Sequence, residues 1–273
     1  MSDKYAFLFS IKMLQHEIAE LSAYISESKY CYELLTRKLD ELSKFVVNEM
    51  NDRLWRLWGE DEEIRKYSEK LRETSSKAIS TMEKYQSACT ANQQMDISDY
   101  LTALSDSVKK ELDTYEITNC SKVVFIGSGA FPLSALTIAK ETGAQIICLD
   151  IDREAVEMGQ NIAEITGLET SVSFTQKPVN QLPNFKDTTH VIIASLVKKK
   201  LEILEDLKSL LPESAKVIIR YGNGLKSIFN YPLDDDLSAE WDQEQVEQKN
   251  HFYDTLVLKR GTDNRYGRDL EYL

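Results

Sequence analysis

Residues Lys122 to Pro132 read KVVFIGSGAFP, an apolar run that stops at Gly127-Ser128-Gly129 and meets a proline suited to opening a helix. Valine, isoleucine and phenylalanine in an unbroken run predict a buried strand, and the glycines behind it predict a tight turn. Glycine accepts φ above zero and carries no side chain, so such a turn brings bare backbone against a bound nucleotide. A second apolar run, Ala144 to Leu149, ends in Asp150, 21 residues after Gly129, where an acid is placed to take a ribose hydroxyl. Together the two stretches predict a nucleotide-type cofactor site. The plainer alternative, a glycine pair that only turns the chain within a parallel sheet, stays open at this point.

The residue after the turn narrows the choice of nucleotide. A dinucleotide fingerprint requires glycine three residues after Gly129, and Pro132 holds that place, so the third close approach is missing and NAD is disfavoured. Proline suits the first turn of a helix, because its φ is already helical and its absent N–H would be unpaired there. A GxGxxP loop beside a ribose-binding acid is the pattern of S-adenosylmethionine enzymes, in which the glycines flank the methionine portion and no pyrophosphate has to be cradled.

Working outward, strand and helix alternate from Lys122 onward: VVFIG, a helix from Pro132 to Thr142, AQIICLD, a helix from Arg153 to Thr166, SVSF, HVIIAS, a helix from Lys199 to Leu211, and AKVIIRY. Such alternation predicts a mainly parallel sheet covered by helices on both faces. Asp242 to Lys249 and Phe252 to Lys259 predict an antiparallel pair at one edge. Before Gly127 the only glycine is Gly59, and no proline precedes Pro132, so the first 110 or so residues read as helix. Ile11, Leu14, Ile18, Leu21 and Ile25 alternate steps of three and four, and Leu35, Leu39, Leu42 and Val46 repeat the pattern. Further helices are expected over Glu62 to Gln86 and from about Ile97 to Tyr115. The expected fold is α/β: an N-terminal helical bundle over residues 1–114, then a Rossmann-like doubly wound sheet of the class I methyltransferase type over residues 115–273.

Composition bounds the partners. A formal net charge of −12 over 273 residues disfavours a nucleic-acid footprint or an anionic membrane surface and fits a small substrate. No apolar run is long enough to span a bilayer, and the N-terminus has no signal-peptide pattern, so a cytoplasmic protein is expected. Cys31, Cys89, Cys120 and Cys148 form no CxxC, and His16, His190 and His251 are equally scattered, so no metal site is expected. Asp234-Asp235-Asp236 reads as a solvated loop, and Gly261 to Leu273 shows no periodicity.

Beyond these patterns, VVFIGSGAFPLSALTIAK resembles the nicotianamine synthase family, whose glycine loop has the same GSG, one or two small or apolar residues, and Pro-Leu entering the helix. LDID (Leu149 to Asp152) resembles the family's second-strand YDID. VIIASLV (Val191 to Val197) resembles its fourth-strand run ending in Ala-Leu-Val, and VIIRYGNGLKSIFNYP (Val217 to Pro232) resembles its Arg-x-x-x-Gly segment ending in Tyr-Pro. In the helical half, TMEKY (Thr81 to Tyr85) is similar to the helix with a catalytic glutamate. SDYL (Ser98 to Leu101) is similar to a later tyrosine segment, at a shorter spacing than in the plant enzymes. Overall compactness points to the bacterial branch, the staphylopine-type synthases of nicotianamine-like metallophores.

The resemblance implies attack on the γ-carbon of the methionine portion of S-adenosylmethionine by an amine, with methylthioadenosine as the leaving product. It implies Glu83 as base, with Tyr100 positioning the amine or relaying its proton. Gly127, Ser128, Gly129 and Pro132 would hold the methionine portion, Asp150 with Ile151 the ribose, and Pro178 and Val179 the adenine, although no acid follows the third strand as it usually does. Ala194, Ser195 and Leu196 would flank cofactor and acceptor. Arg220 and Tyr221 would bind a substrate carboxylate, and a structural ion pair is the alternative for Arg220. The implied acceptor is histidine, D-histidine in a single transfer. The sequence carries no reading of oligomeric state, and a homodimer through the helical half is a guess. A small-molecule methyltransferase, an iterative nicotianamine synthase and a non-catalytic scaffold remain the competing functions. On residue type alone, Glu83 and Lys198-Lys199-Lys200 are solvated helix faces, Trp55 and Trp58 are packing anchors, and His16 and His190 are surface or packing residues.

Overall fold

A computed structural model describes residues 2–92, 99–182, 185–233, 237, 241–246 and 251–260. Asp234-Asp235-Asp236 and the stretch from Gly261 to Leu273 lie outside the described residues. The helical half comprises α1 (Ser2–Ala23), α2 (Lys29–Phe45), α3 (Glu49–Trp58), α4 (Glu62–Ala91) and α5 (Asp99–Tyr115). Side-chain caps set three of the starts: Ser28 accepts from the Cys31 N–H, Asn48 from Met50 and Asn51, and Asp61 from Glu63 and Ile64. The apolar stripes bury as their spacing predicts. Ile11, Leu14 and Ile18 of α1 meet Ile64, Leu71, Ala78 and Met82 of α4, all at most 3% exposed. Helix α3 is an addition, because RLWRLW continues a helix whose Trp55 and Trp58 are half-buried.

The sheet runs β3-β2-β1-β4-β5-β7-β6. Strands β1 (Lys122–Ile126), β2 (Gln145–Leu149), β3 (Val172–Thr175), β4 (His190–Ile193) and β5 (Lys216–Tyr221) are parallel neighbours in that order. Strand β7 (Asp254–Arg260) pairs antiparallel with β5, Tyr221 opposite Asp254, and β6 (Trp241–Val246) pairs antiparallel with β7. Alternate residues feed two cores. Val123, Phe125, Ile192 and Ile218 join the cluster shared with the helical half, whereas Val124, Ile126, Ile193 and Ile219 face Leu204 and Leu207 of α8 (Lys200–Leu210).

Helices α6 (Leu133–Thr142) and α7 (Arg153–Ile165) lie on the first face, with α5 packed on α6. The expected boundary at residue 114 thus falls in the last turn of α5, and one apolar cluster continues across it from Phe7 to Val257. His190 is a core residue: its ring nitrogens contact the Tyr115 carbonyl at 2.9 Å and the Thr189 hydroxyl at 2.8 Å. Chain order reverses direction between β1 and β4, and ligands of open α/β sheets bind beyond the carboxyl ends of the strands at such a point.

Candidate active site

The turn after β1 is made by Gly127 at φ +79° and Gly129 at φ +71°. The N–H groups of Gly127 and Ser128 both donate to the Leu149 carbonyl, at 2.8 and 3.3 Å, which ties the turn to the end of β2. The Gly129 N–H donates to Asp150 Oδ2 at 2.9 Å, and the Asp152 N–H donates to Asp150 Oδ1 at 3.0 Å. Asp150 therefore shapes the turn as well as facing the cavity, and a carboxylate with two such bonds keeps lone pairs for a further donor. Neither glycine has room for a Cβ: at 127 it would lie 2.5 Å from Val197 Cγ2, and at 129 it would overlap the Glu83 carboxylate.

These groups open on a cavity of about 870 Å³ roofed by α4. Gly127, Ser128, Gly129, Asp150 and Ile151 line one end of it. Pro178 and Val179 arrive from the segment after β3, and Ala194, Ser195 and Leu196 from the segment after β4. Ile151 is 93% exposed, an apolar side chain held at the rim beside Asp150. Pro132 is buried as the N-cap of α6 and sits behind the wall, so it shapes the turn from outside the cavity. Three further contributors carried no sequence pattern: Ser76 and Ser80 on the inner face of α4, and Gln176, whose amide donates to the Ile151 carbonyl at 2.8 Å.

Helix α4 brings Glu83 to this cavity from the other half of the chain. Its carboxyl is enclosed above Gly129 while part of the side chain faces the cavity. Burial and the neighbouring Asp150 push its pKa up to about 8, against the pull of a hydrogen bond from the Ala130 N–H. One turn on, the Ser87 hydroxyl donates to the Ala130 carbonyl at 2.6 Å, so α4 grips both ends of one peptide residue in the loop. Lys84 points away and bonds Asp152 and Glu154 at the start of α7, both at 2.6 Å. At the other end, Arg72 donates to the Ser227 carbonyl at 2.6 Å, and Lys198 pairs with Glu73 at 2.9 Å.

Two expectations for β5 separate here. Arg220 is 2% exposed and reaches the cavity wall, with Nη2 donating to Glu111 at 3.0 Å and Nη1 to the Ser134 hydroxyl at 3.1 Å. Glu111 also accepts from the Tyr115 and Thr255 hydroxyls. Arg220 thus forms a buried ion pair, the alternative its residue type left open. The substrate role expected of Tyr221 is corrected: consecutive strand residues face opposite ways, and Tyr221 packs among the α8-side core. Phe252 and Tyr253, expected to begin the last strand, precede β7 and line the cavity instead. Tyr100 falls in the first turn of α5, and its side chain lies outside the described residues.

The lysine run is corrected as well. Lys198 and Lys199 are exposed, but Lys200 is 2% exposed, and burial with the nearby Arg72 pushes its pKa down to about 7. Among the described residues no group of three His, Cys, Asp or Glu side chains is placed to hold a metal, and no helix is long and apolar enough to cross a membrane.

With this geometry in place, similarity to known proteins becomes specific. The family model described as nicotianamine synthase protein matches residues 6–264. A Pseudomonas aeruginosa protein named L-histidine 2-aminobutanoyltransferase is 35% identical over 262 residues, 95% of this chain and 99% of that protein. A Yersinia pestis protein of the same name is 31% identical over 253 residues, 90% of this chain and 92% of that protein. Among solved structures, MtNAS in complex with MTA and tNA matches with a TM-score of 0.76 at 15% identity, over 93% of this chain and 97% of that one, which shows a shared fold. On a family match spanning nearly the whole sequence and relatives covered almost end to end, the chain belongs to the nicotianamine synthase family.

Proposed function

We propose that this protein transfers the 3-amino-3-carboxypropyl group of S-adenosylmethionine to the amine of histidine, releasing methylthioadenosine, in the biosynthesis of a nicotianamine-like metallophore. The observation that carries the reading is the Glu83 carboxyl enclosed directly above Gly129, in the turn that would hold the methionine portion. The cradle fits that ligand: a turn with no room for a Cβ, an acid beside it, and an apolar side chain exposed at the rim. A volume of about 870 Å³ accommodates the donor and an amino acid together.

When bound, S-adenosylmethionine supplies a γ-carbon made electrophilic by the sulfonium, with a neutral thioether as leaving group. The residues of this chain do the rest. The acceptor nitrogen needs a free lone pair, so its proton must leave, and Glu83 takes it. Enclosure keeps Glu83 protonated at neutral pH until a cation arrives; a positive charge beside it favours the carboxylate, so Glu83 releases its proton to solvent as the donor binds and the base forms. Alignment contributes most, because well-oriented reactants gain about 7–11 kcal/mol. Helix α4, anchored at Lys84 and at Arg72, holds that alignment and excludes water.

The relatives are named for L-histidine, whereas the family resemblance implied D-histidine; histidine is the acceptor common to both. Incubation with S-adenosylmethionine and L-histidine, D-histidine or no acceptor, followed by mass spectrometry, is expected to give methylthioadenosine and one histidine adduct from one enantiomer. S-adenosylhomocysteine as the only nucleoside product would overturn the reading in favour of a methyltransferase. A cytoplasmic location belongs to the same reading, as does a homodimer through the helical half. Tyr5, Phe9 and Met13 stand exposed at successive turns of α1, and sedimentation of Phe9→Glu beside the parent tests the dimer.

A further inference from the structure

Lys200 opens α8, and only 2% of it meets solvent. A cation there loses its hydration and faces the positive end of the helix dipole. No carboxylate among the described residues is paired with it. Its ammonium donates instead to three main-chain carbonyls: Val197 at 2.6 Å, Ser195 at 2.9 Å and Tyr231 at 3.3 Å. The Tyr231 N–H also donates to the Ser195 carbonyl at 3.2 Å, and the Gly222 N–H to the Tyr231 carbonyl at 3.2 Å. Lys200 therefore stands where the segment after β4 is joined to the segments that follow β5. The charged and titratable groups around it are Arg72 from α4, Lys198 from its own segment and Tyr231, whose ring carries all three cations within 5.7 Å of its centre. Glu73 beside them is taken by Lys198.

The segment bound by Lys200 is the cavity wall that meets the glycine turn. A Cβ at Gly127 would lie 2.5 Å from Val197 Cγ2 and 3.4 Å from the Ala194 Cβ. Holding the Ser195 and Val197 carbonyls sets how closely that wall approaches the turn. A lysine kept here against two electrostatic costs, with no paired anion among the described residues, is accounted for by what it holds.

We propose that Lys200 is a positioning residue for the donor: its ammonium sets the Ala194–Val197 wall against Gly127 and thereby shapes the place of the methionine arm. This rests on the S-adenosylmethionine reading above. The parent, Lys200→Met, Lys200→Arg and Lys140→Met are compared by circular dichroism, by calorimetric Kd for S-adenosylmethionine and by steady-state kinetics. Lys140, exposed in the last turn of α6 and outside the cavity lining, is the control.

Parent binding is read first: no binding by the parent overturns the donor reading itself, separately from this proposal. Lys200→Met is expected to fold and to bind S-adenosylmethionine at least about tenfold more weakly, with KM for the donor rising in step and KM for the acceptor moving less than about threefold. Lys200→Arg should recover part of the loss, and Lys140→Met should match the parent. A merely structural lysine lowers the folded fraction, and with it kcat, while leaving donor Kd and KM in place. That result, or failure of both Lys200 variants to fold, overturns the proposal.

Discussion

The two walls of the cavity are held by different means. On the sheet side the wall is main chain: the Gly127 and Ser128 N–H groups on Leu149, the Gly129 N–H on Asp150, and carbonyls gathered by Lys200. On the α4 side it is side chain, with Glu83, Ser87 and Lys84 reaching across from one helix to three points of the other half. A main-chain wall is intolerant of added volume, whereas a side-chain wall is decided by charge and proton. The difference can be broken from either side.

The largest effect belongs to the main-chain wall. Gly129→Ala places a Cβ on the Glu83 carboxylate at a left-handed φ of +71°, so backbone and carboxylate cannot both keep their positions. Left-handed strain alone is about 1–2 kcal/mol, and with the collision S-adenosylmethionine binding should weaken by about 100-fold or more. Gly127→Ala carries the same left-handed strain at φ +79°, and its Cβ would lie 2.5 Å from Val197 Cγ2 and 3.4 Å from the Ala194 Cβ, but it leaves the Glu83 carboxylate in place and should cost less. Calorimetry on the two variants reads the order, and equal losses would show that the Glu83 contact does not matter.

Glu83→Gln tests the side-chain wall. Loss of the proposed proton acceptor should lower turnover by about 10²- to 10⁴-fold, and donor affinity should fall as well, because the carboxylate that forms beside the bound cation is missing. Near-parental turnover would remove Glu83 as the base. Stability should move the opposite way. A folded-state pKa of about 8 lies above the ordinary carboxyl value, so between the two the folded protein keeps a proton that the unfolded chain has released. The parent therefore loses stability as pH rises through that window. Glu83→Gln lacks this penalty, and its Tm advantage over the parent should grow from about pH 5 to about pH 9.

The same contrast explains what was legible. The glycine turn, Asp150 and the strands of the parallel core lie in short continuous runs, where residue type and spacing state the backbone directly. Sidedness was harder. Tyr221 and Arg220 are adjacent, and only the pleat decides which one meets the cavity. Lys200 shared a run with two solvated lysines, yet Leu204 and Leu207, four and seven residues on, mark it as the buried face of α8. Glu83 has no local signal beyond its resemblance to a family segment, because what singles it out is a contact with Gly129, far along the chain. The partner of Arg220 is likewise remote, 109 residues away.

That remote pair gives the next test. Arg220→Met leaves Glu111 buried without its cation and should destabilise by about 3–5 kcal/mol in denaturant unfolding. Arg220→Met with Glu111→Leu should recover only part of the loss, since an apolar pair replaces the ions but the buried Tyr115 and Thr255 hydroxyls lose their acceptor. If the double variant is stable but its KM for the acceptor rises, Arg220 binds substrate as well as bracing the wall. An unchanged KM leaves it a brace alone.

The smallest effect is expected where the two walls are tied at the rim. Lys84 bonds Asp152 and Glu154, whose side chains are 39% and 59% exposed, so water and salt screen both contacts. Lys84→Ala should cost no more than about 1 kcal/mol in global stability, and less as salt is added. Its position still matters for the site. Asp152 caps α7 and donates its own N–H to Asp150, so freeing it loosens the acid that shapes the glycine turn. Donor affinity in Lys84→Ala should therefore fall by a few-fold at low salt and converge on the parent at high salt, where the parental pair is itself screened. A loss that persists unchanged at high salt would place the contribution of Lys84 in packing instead of charge, and α4 would then be held to the sheet by shape, as the glycine turn is.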